Sequence, residues 1–348
     1  MSIDERYMRR ALQLAAQGAG HTSPNPMVGA VIVGPDGTII GEGWHRKCGE
    51  GHAEVNAVAS VKSPELLKDS TIYVTLEPCS HYGKTPPCAR LIIERGIPRV
   101  VVGCLDPFAA VSGRGVAMLR EAGVEVELGV LEQECRALNR RFMTAHTTGR
   151  PWVQLKWAQT ADGFIALSPE AGETPLRMST PVTMRLMHRQ RALCDAIVVG
   201  AATARIDNPS LTTRYWPGRS RLRVVLSHHL STPDNLNLFN DGLPTIVYNG
   251  VKSEVNGVVE YVRTDTADPA TWLEDLYRRG VTSVMVEGGT RVLQQMIDAR
   301  AWDEARIETS PRRVGQGVAA PDIDGRVAAS HLIAGNTITT LIPSAPLR

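Results

Sequence analysis

His52-Ala53-Glu54, then Thr75-Leu76-Glu77-Pro78-Cys79, then Pro86-Pro87-Cys88 is the stretch whose reading decides the fold of this chain. Alanine-rich spacing from His52 to Ser60 predicts a helix. The β-branched run Thr71 to Thr75 predicts a short strand, and Ala89 to Arg95 a second helix, stopped by Gly96 with Pro98 beyond. His52 therefore falls near one helix start and Cys88 near another. Helix, strand and helix in quick succession is the rhythm of an α/β sheet covered by helices.

The same rhythm extends outward. Tyr7, Ala11, Leu14 and Ala15 share one helical stripe. Met27 to Val33 is an apolar run ended by the turn-forming Gly34-Pro35-Asp36-Gly37, and Thr38 to Gly41 resumes as a strand, which predicts a hairpin. Val100 to Gly103 and Val124 to Leu128 read as strands, with a helix from Gly115 to Ala122 between them. The segment from Leu131 to about His146 reads as one polar amphipathic helix. Thr147-Thr148-Gly149-Arg150-Pro151 then punctuates the chain, giving domains at 1–146 and 147–348. In the second domain, Trp152 to Ala158, Ala196 to Gly200, Leu222 to Leu226, Thr245 to Tyr248 and Ser283 to Val286 read as strands. Thr180-Pro181 opens a helix, with a capping hydroxyl and proline at the first helical position, and Leu273 to Tyr277 lies in another. Both domains are expected to be α/β.

With 348 residues the chain is long for one core. Charged residues make up 21% and balance to a formal net charge of +2, without a basic run, which argues against a nucleic-acid partner. The start, MSIDERYMRR, has no apolar core of signal-peptide length, and no run of about eighteen apolar residues suggests a membrane span. Six cysteines in a chain this long do not make a disulfide framework; Cys104 and Cys194 read as small core residues, and a reducing cytoplasm is expected.

His-x-Glu, Pro-Cys and a further Cys is the donor order of zinc-dependent deaminases of nucleobase-like rings. His52, Cys79 and Cys88 would give zinc three ligands and leave the fourth tetrahedral place open, as a catalytic site needs. Glu54, two residues from His52, is placed to take a proton from the attacking water and return it to the leaving amine. A closed structural site would require a fourth protein ligand, for which Cys48 and His81 are the nearest candidates.

The chain resembles the bifunctional deaminase–reductases of riboflavin biosynthesis. Carrying the resemblance are Ser23-Pro24-Asn25-Pro26-Met27-Val28-Gly29, Gly49, His52-Ala53-Glu54 and the run from Thr75 to Cys88, whose eight-residue cysteine gap holds Gly83-Lys84-Thr85-Pro86-Pro87. Ser112-Gly113-Arg114-Gly115, Leu119-Arg120-Glu121-Ala122-Gly123, Leu155-Lys156, Asp162-Gly163, Asp207 to Arg214 and Glu287-Gly288-Gly289 continue it through nearly the whole chain. The resemblance implies a cytidine-deaminase-like α/β/α sandwich followed by a dihydrofolate-reductase-like α/β domain that uses NADPH. It implies zinc on His52, Cys79 and Cys88, with Glu54 as the catalytic proton carrier. It implies substrate contacts at Asn25, His45, Lys156, Arg191, Leu211, Arg214 and Glu287, and cofactor contacts at Gln159, Thr203, Asp207, Ser227 and Gly289. For Asn25 and His45 a turn or core role is the alternative, and Asp207-Asn208-Pro209 also reads as a plain turn. The implied substrate is a diamino-pyrimidinone carrying a phosphoribosylamino group, deaminated first and then reduced from ribosyl to ribityl.

Two places depart from the family pattern. Phe108-Ala109-Ala110 stands where an Asn-Pro pair usually follows Asp106-Pro107, and Glu173-Thr174-Pro175-Leu176-Arg177 stands where a Ser-x-Trp is common. The cofactor contact at the second place does not carry over. Two other readings stay open: a nucleic-acid deaminase whose second domain binds the nucleic acid, and a deaminase whose second domain is not catalytic. A homodimer is expected of two hydrophobic α/β domains.

Overall fold

Gly34-Pro35-Asp36-Gly37 folds as the expected turn: Gly34 N donates to the Thr38 carbonyl at 2.9 Å and Gly37 N to the Gly34 carbonyl at 3.0 Å. This is seen in a computed structural model that describes residues 2–81, 86–108, 112–167, 176–218 and 220–344. The chain divides into two compact units, Met1–Thr148 and Gly149–Arg348. Tyr82-Gly83-Lys84-Thr85 of the cysteine gap, Ala109 and Ala110, and Glu173, Thr174 and Pro175 lie outside the described residues.

The first unit runs α1 (Ile3–Ala15), β1 (Gly29–Val33), β2 (Ile39–Trp44), α2 (Ala53–Ala59), β3 (Thr71–Val74), α3 (Cys88–Glu94), β4 (Arg99–Val102), α4 (Arg114–Glu121), β5 (Glu125–Leu128), α5 (Glu132–Leu138) and α6 (Arg140–Thr148). Its sheet has the order β2-β1-β3-β4-β5; β1 is antiparallel to β2 and β3, and β3, β4 and β5 are parallel. Alternation along the strands supplies both layers. Ala30, Ile32, Ile72, Val74, Val100 and Val102 pack with Ala53, Ala57, Ala89, Ile92 and Leu119 of α2, α3 and α4. Val31, Val33, Tyr73 and Val101 pack on the other face with Tyr7, Met8, Ala11, Cys135 and Met143 of α1, α5 and α6. Gly43 lets α2 lie directly on β2, since a Cβ there would sit 2.3 Å from Ala57 N and 2.5 Å from the Ala53 carbonyl. That approach sets the depth of His52 and Glu54.

The single helix expected from Leu131 to His146 is two helices broken at Asn139. The Asn139 side chain accepts from Met27 N and donates to the Met27 carbonyl, both at 2.8 Å. Asparagine offers the backbone this alternative to a continuing helix. α6 runs on to Thr148, where the first compact unit ends.

The second unit contains β6 (Trp152–Thr160), β7 (Phe164–Ala166), α7 (Pro181–Leu193), β8 (Ala196–Gly200), α8 (Ala201–Asp207), β9 (Leu222–Leu226), α9 (Asn237–Asn240), β10 (Thr245–Asn249), β11 (Glu254–Asn256), β12 (Val259–Arg263), α10 (Pro269–Arg278), β13 (Ser283–Val286), α11 (Thr290–Asp298), β14 (Glu304–Ser310), β15 (Val318–Ala319), β16 (Arg326–Ile333) and β17 (Asn336–Ile342). Its ten-stranded sheet has the order β11-β12-β10-β9-β8-β13-β6-β14-β17-β16. The run from β12 to β14 is parallel and the strands outside it are antiparallel. As the sequence suggests, Thr180 caps α7: its hydroxyl accepts from Thr183 N, and the Thr183 hydroxyl accepts from Thr180 N in return. Trp272, Leu273 and Leu276 of α10 and Leu293 and Met296 of α11 fill one face of the sheet. Ile197, Val199, Val225, Val247 and Met285 pack with Ala204 and Leu238 on the other.

Candidate active sites

His52 is the N-cap of α2 and Cys88 the first residue of α3, so two helix starts face one point. His52 Nδ1 lies 3.6 Å from Cys79 Sγ and 3.3 Å from Cys88 Sγ, and the three donor atoms lie within 4.8 Å of one another. Ligands at zinc bond lengths on a tetrahedron are roughly 3.5 Å apart, so the donors fit that ion. Among the described residues they form the only such group. Cys48 is exposed and His81 lines a neighbouring cavity, and neither completes a closed four-ligand site.

Hydrogen bonds from the Cys88 thiol and, at 3.3 Å, from Cys88 N, together with His52, hold the Cys79 thiol down to about 4; burial opposes them. The hydrogen bond with Cys79, then burial, pushes the Cys88 thiol up, with Glu54 adding to the shift. Burial, then the Cys79 charge, pushes the Glu54 carboxyl up to about 7.

Beside the donors opens a cavity of about 410 Å³, lined by Asn25, His45, Glu54 and Asp106 and walled by Leu76, Phe108 and Phe142. His45 Nδ1 lies 3.2 Å from the Gly51 carbonyl, which assigns the proton to Nδ1 and leaves Nε2 to accept from Asn25 Nδ2 at 3.3 Å. Burial pushes the His45 pKa down and favours this neutral form. With its amide nitrogen so engaged, Asn25 has its carbonyl oxygen left as an acceptor.

In the second unit, Lys156 on β6 pairs across the sheet with Arg306 of β14, and Leu155 with Val286 of β13, just before Glu287. Burial pushes the Lys156 pKa down, while Glu287 and Glu308 pull it back. Arg191 from α7 grips Glu287 with two bonds of 2.6 Å and donates its third nitrogen to the Thr212 carbonyl at 3.1 Å. Burial would raise the Glu287 pKa, but Arg191 and then Lys156 more than offset it and the carboxyl stays low. Lys156, Arg191 and Glu287 are thus brought together. The exposed Arg214 lies over the Tyr215 ring at 5.0 Å.

Thr203 in α8 meets the Gly288-Gly289 turn that opens α11. A Cβ on either glycine would lie 3.1 Å from Thr203 Oγ1, and Gly289 has φ +65°. A side-chain-free helix start of this kind lets backbone N–H groups approach phosphate, so it fits a dinucleotide cofactor. Gln159 accepts from Trp157 Nε1 at 2.7 Å and keeps its amide donors. Asp207 ends α8 on the surface. Two expected contacts are otherwise engaged: the Leu211 side chain is in the core with Ile197 and Val225, and the buried Ser227 hydroxyl accepts from Ser231 N at 3.1 Å.

Residues 151–333 match the family described as the RibD C-terminal domain, and residues 1–104 the cytidine and deoxycytidylate deaminase zinc-binding region. The riboflavin biosynthesis protein RibD of Aquifex aeolicus is 38% identical over 92% of this chain and 90% of its own length. The chain belongs to the RibD family. That of Bacillus amyloliquefaciens is 40% identical over 92% of this chain and 88% of its own. The crystal structure of a diaminohydroxyphosphoribosylaminopyrimidine deaminase/5-amino-6-(5-phosphoribosylamino)uracil reductase from Thermotoga maritima superposes with a TM-score of 0.89. It is 36% identical and the match covers 98% of this chain and 99% of that one. As a RibD protein the chain carries a deaminase and a reductase of riboflavin biosynthesis, with zinc and NADPH as cofactors.

The sequence reading of this RibD chain missed Glu77. Buried beneath the cavity, its carboxylate accepts from Gly115 N and Gly113 N at 2.9 Å, Val116 N at 3.2 Å and Asp106 N at 3.3 Å. It caps α4 and braces the Asp106–Phe108 wall. Its place in Glu77-Pro78-Cys79 was visible, but its backbone partners were not. His146 was missed as well: it lines the cavity between Phe142 and Phe108, at 4.4 and 5.5 Å between ring centroids.

Proposed function

We propose that the first domain, 1–146, deaminates 2,5-diamino-6-(5-phosphoribosylamino)pyrimidin-4-one, and that the second, 147–348, reduces the product to 5-amino-6-(5-phosphoribitylamino)uracil. The observation that carries this reading is Glu54 buried beside His52, Cys79 and Cys88 at one cavity.

His52, Cys79 and Cys88 would hold zinc, which would supply Lewis acidity toward water near neutral pH. Glu54 takes a proton from the attacking water and returns it to the leaving amine; burial, which raises its carboxyl, suits both transfers. Asn25, held through His45, offers its carbonyl oxygen to a ring amino or N–H group. The amine leaves as ammonia and the ring keeps the oxygen.

NADPH would supply the hydride of the second step, with Gly289 and Thr203 holding its phosphates and Gln159, Asp207 and Ser227 as further contacts, Ser227 acting through the turn it closes. Lys156 holds the sugar oxygen, Glu287 is fixed by Arg191, and Arg214 takes the phosphate by paired N–H donors. Leu211, with its side chain in the core, contributes backbone. The substrate is a small molecule, not a nucleic acid, consistent with the near-neutral net charge. No helix among the described residues is long and apolar enough to cross a membrane. The six cysteines are free, and a homodimer in the cytoplasm completes the reading.

Ammonia release tests it. Zinc-loaded Glu54→Gln should release none above background yet still reduce substrate that has already been deaminated. Wild-type ammonia release from that variant would overturn the assignment.

A further inference from the structure

His188 is the least satisfied polar side chain near the reductase residues. It lies on α7 one turn before Arg191 and is fully buried, at 0% exposure, and neither Nδ1 nor Nε2 has a hydrogen-bond partner. Buried polar groups are nearly always paired, so such an exception calls for an explanation. Of the other such atoms, Trp272 Nε1 belongs to a core indole of α10, and those on Gln154, Arg221 and Arg223 belong to side chains that bond through another atom. His188 has no such second bond. The Thr212 carbonyl is close enough to favour its charged form slightly, but it lies outside hydrogen-bond geometry and already accepts from Arg191.

What surrounds His188 indicates the partner. On one side is the Arg191–Glu287 pair. On the other is a strap of half-exposed aromatics: the Tyr215 ring meets His188 edge-on at 4.8 Å, Arg214 lies over Tyr215, and Arg189 lies over Trp216 at 5.6 Å. Burial, then Arg191 and Arg214, pushes the imidazole down to about 4. A neutral imidazole offers one donor and one acceptor, which matches a hydroxyl and not a second cation. Tyr215 is 49% exposed, so its ring can turn away on the fast timescale of surface side chains and uncover the imidazole.

We propose that His188 is a substrate-binding residue of the reductase: once Tyr215 turns aside, its imidazole hydrogen bonds to a hydroxyl of the substrate's sugar chain. The inference rests on the reading that Arg191, Arg214 and Glu287 line the sugar-phosphate site.

His188→Phe keeps the ring against Tyr215 and removes both nitrogens. In the full chain it should raise the reductase KM for 5-amino-6-(5-phosphoribosylamino)uracil about 3- to 10-fold, the range a neutral hydrogen bond supports. Zinc-dependent deamination and the melting temperature should hold, and His188→Gln should recover part of the KM. Arg214→Ala is the control. If both variants keep wild-type KM, the cleft reading fails. If Arg214→Ala raises KM and His188→Phe does not, His188 is a core histidine and the proposal is overturned. Should His188→Phe not fold, ¹⁵N NMR of the wild-type imidazole decides: the phosphoribitylamino product should shift its ring nitrogens, and no shift at saturation overturns the proposal.

Discussion

The two sites are assembled at different ranges along the chain. In the deaminase, the metal donors and proton carrier lie between His52 and Cys88, with His52, Glu54 and Cys88 at the starts of two short helices and Cys79 in the loop after β3 of the same sheet. In the reductase, Lys156, Arg191, Thr203, Arg214 and Glu287 come from two strand regions, two helices and a loop. The first site brings its donors together through short helices on one sheet, the second through the Arg191–Glu287 ion pair that ties α7 to the end of β13. Short-range assembly leaves a spacing signature in sequence, whereas long-range assembly leaves only separate residues.

If the sites are separable, variants in one should spare the other. Glu54→Gln should lower deamination by about 10²- to 10⁴-fold, the usual worth of a positioned proton carrier, with zinc content and reduction unchanged. A parallel loss of reduction would break the comparison.

Arg191→Met leaves Glu287 buried without its partner and should cost about 3 kcal/mol of second-unit stability, read by urea unfolding. The pH dependence sharpens the test. Arg191 holds the Glu287 carboxyl below its ordinary 4.5, so its stabilisation is present above that pH and is lost as pH falls through the lower folded value. In Arg191→Met this acid-side loss should vanish.

Glu77→Gln turns an acceptor oxygen into a donor opposite backbone N–H groups. First-unit stability should fall by about 2 kcal/mol and deamination should weaken, with NADPH binding intact by fluorescence titration. Arg214→Ala should raise the reductase KM about tenfold, about 1.4 kcal/mol, and leave deaminase kinetics alone. A deaminase KM that rose with it would argue against a role confined to the second domain.

Legibility in the sequence followed the same division. The Gly34–Gly37 turn, the Thr180 cap and the three zinc donors are local features, and each could be read from neighbouring residues. The helix break at Asn139 could not, because its partner Met27 lies 112 residues away. β14, β16 and β17 went unread because the Thr337, Thr339 and Thr340 positions and an exposed edge strand carry no clean apolar alternation. Glu77 stood within the quoted motif, yet its role depends on the backbone of Asp106 to Val116. Ser227 shows the opposite case, a hydroxyl expected at the cofactor and found closing a turn.

The most direct test of two ordered, separable activities is mass spectrometry of the diamino-pyrimidinone ribosyl phosphate after incubation with zinc-loaded protein, with and without NADPH. Exchange of an amine for oxygen without NADPH, and a gain of two hydrogens only with it, is the expected result. Reduction without prior exchange, or no change in mass under either condition, would contradict the account.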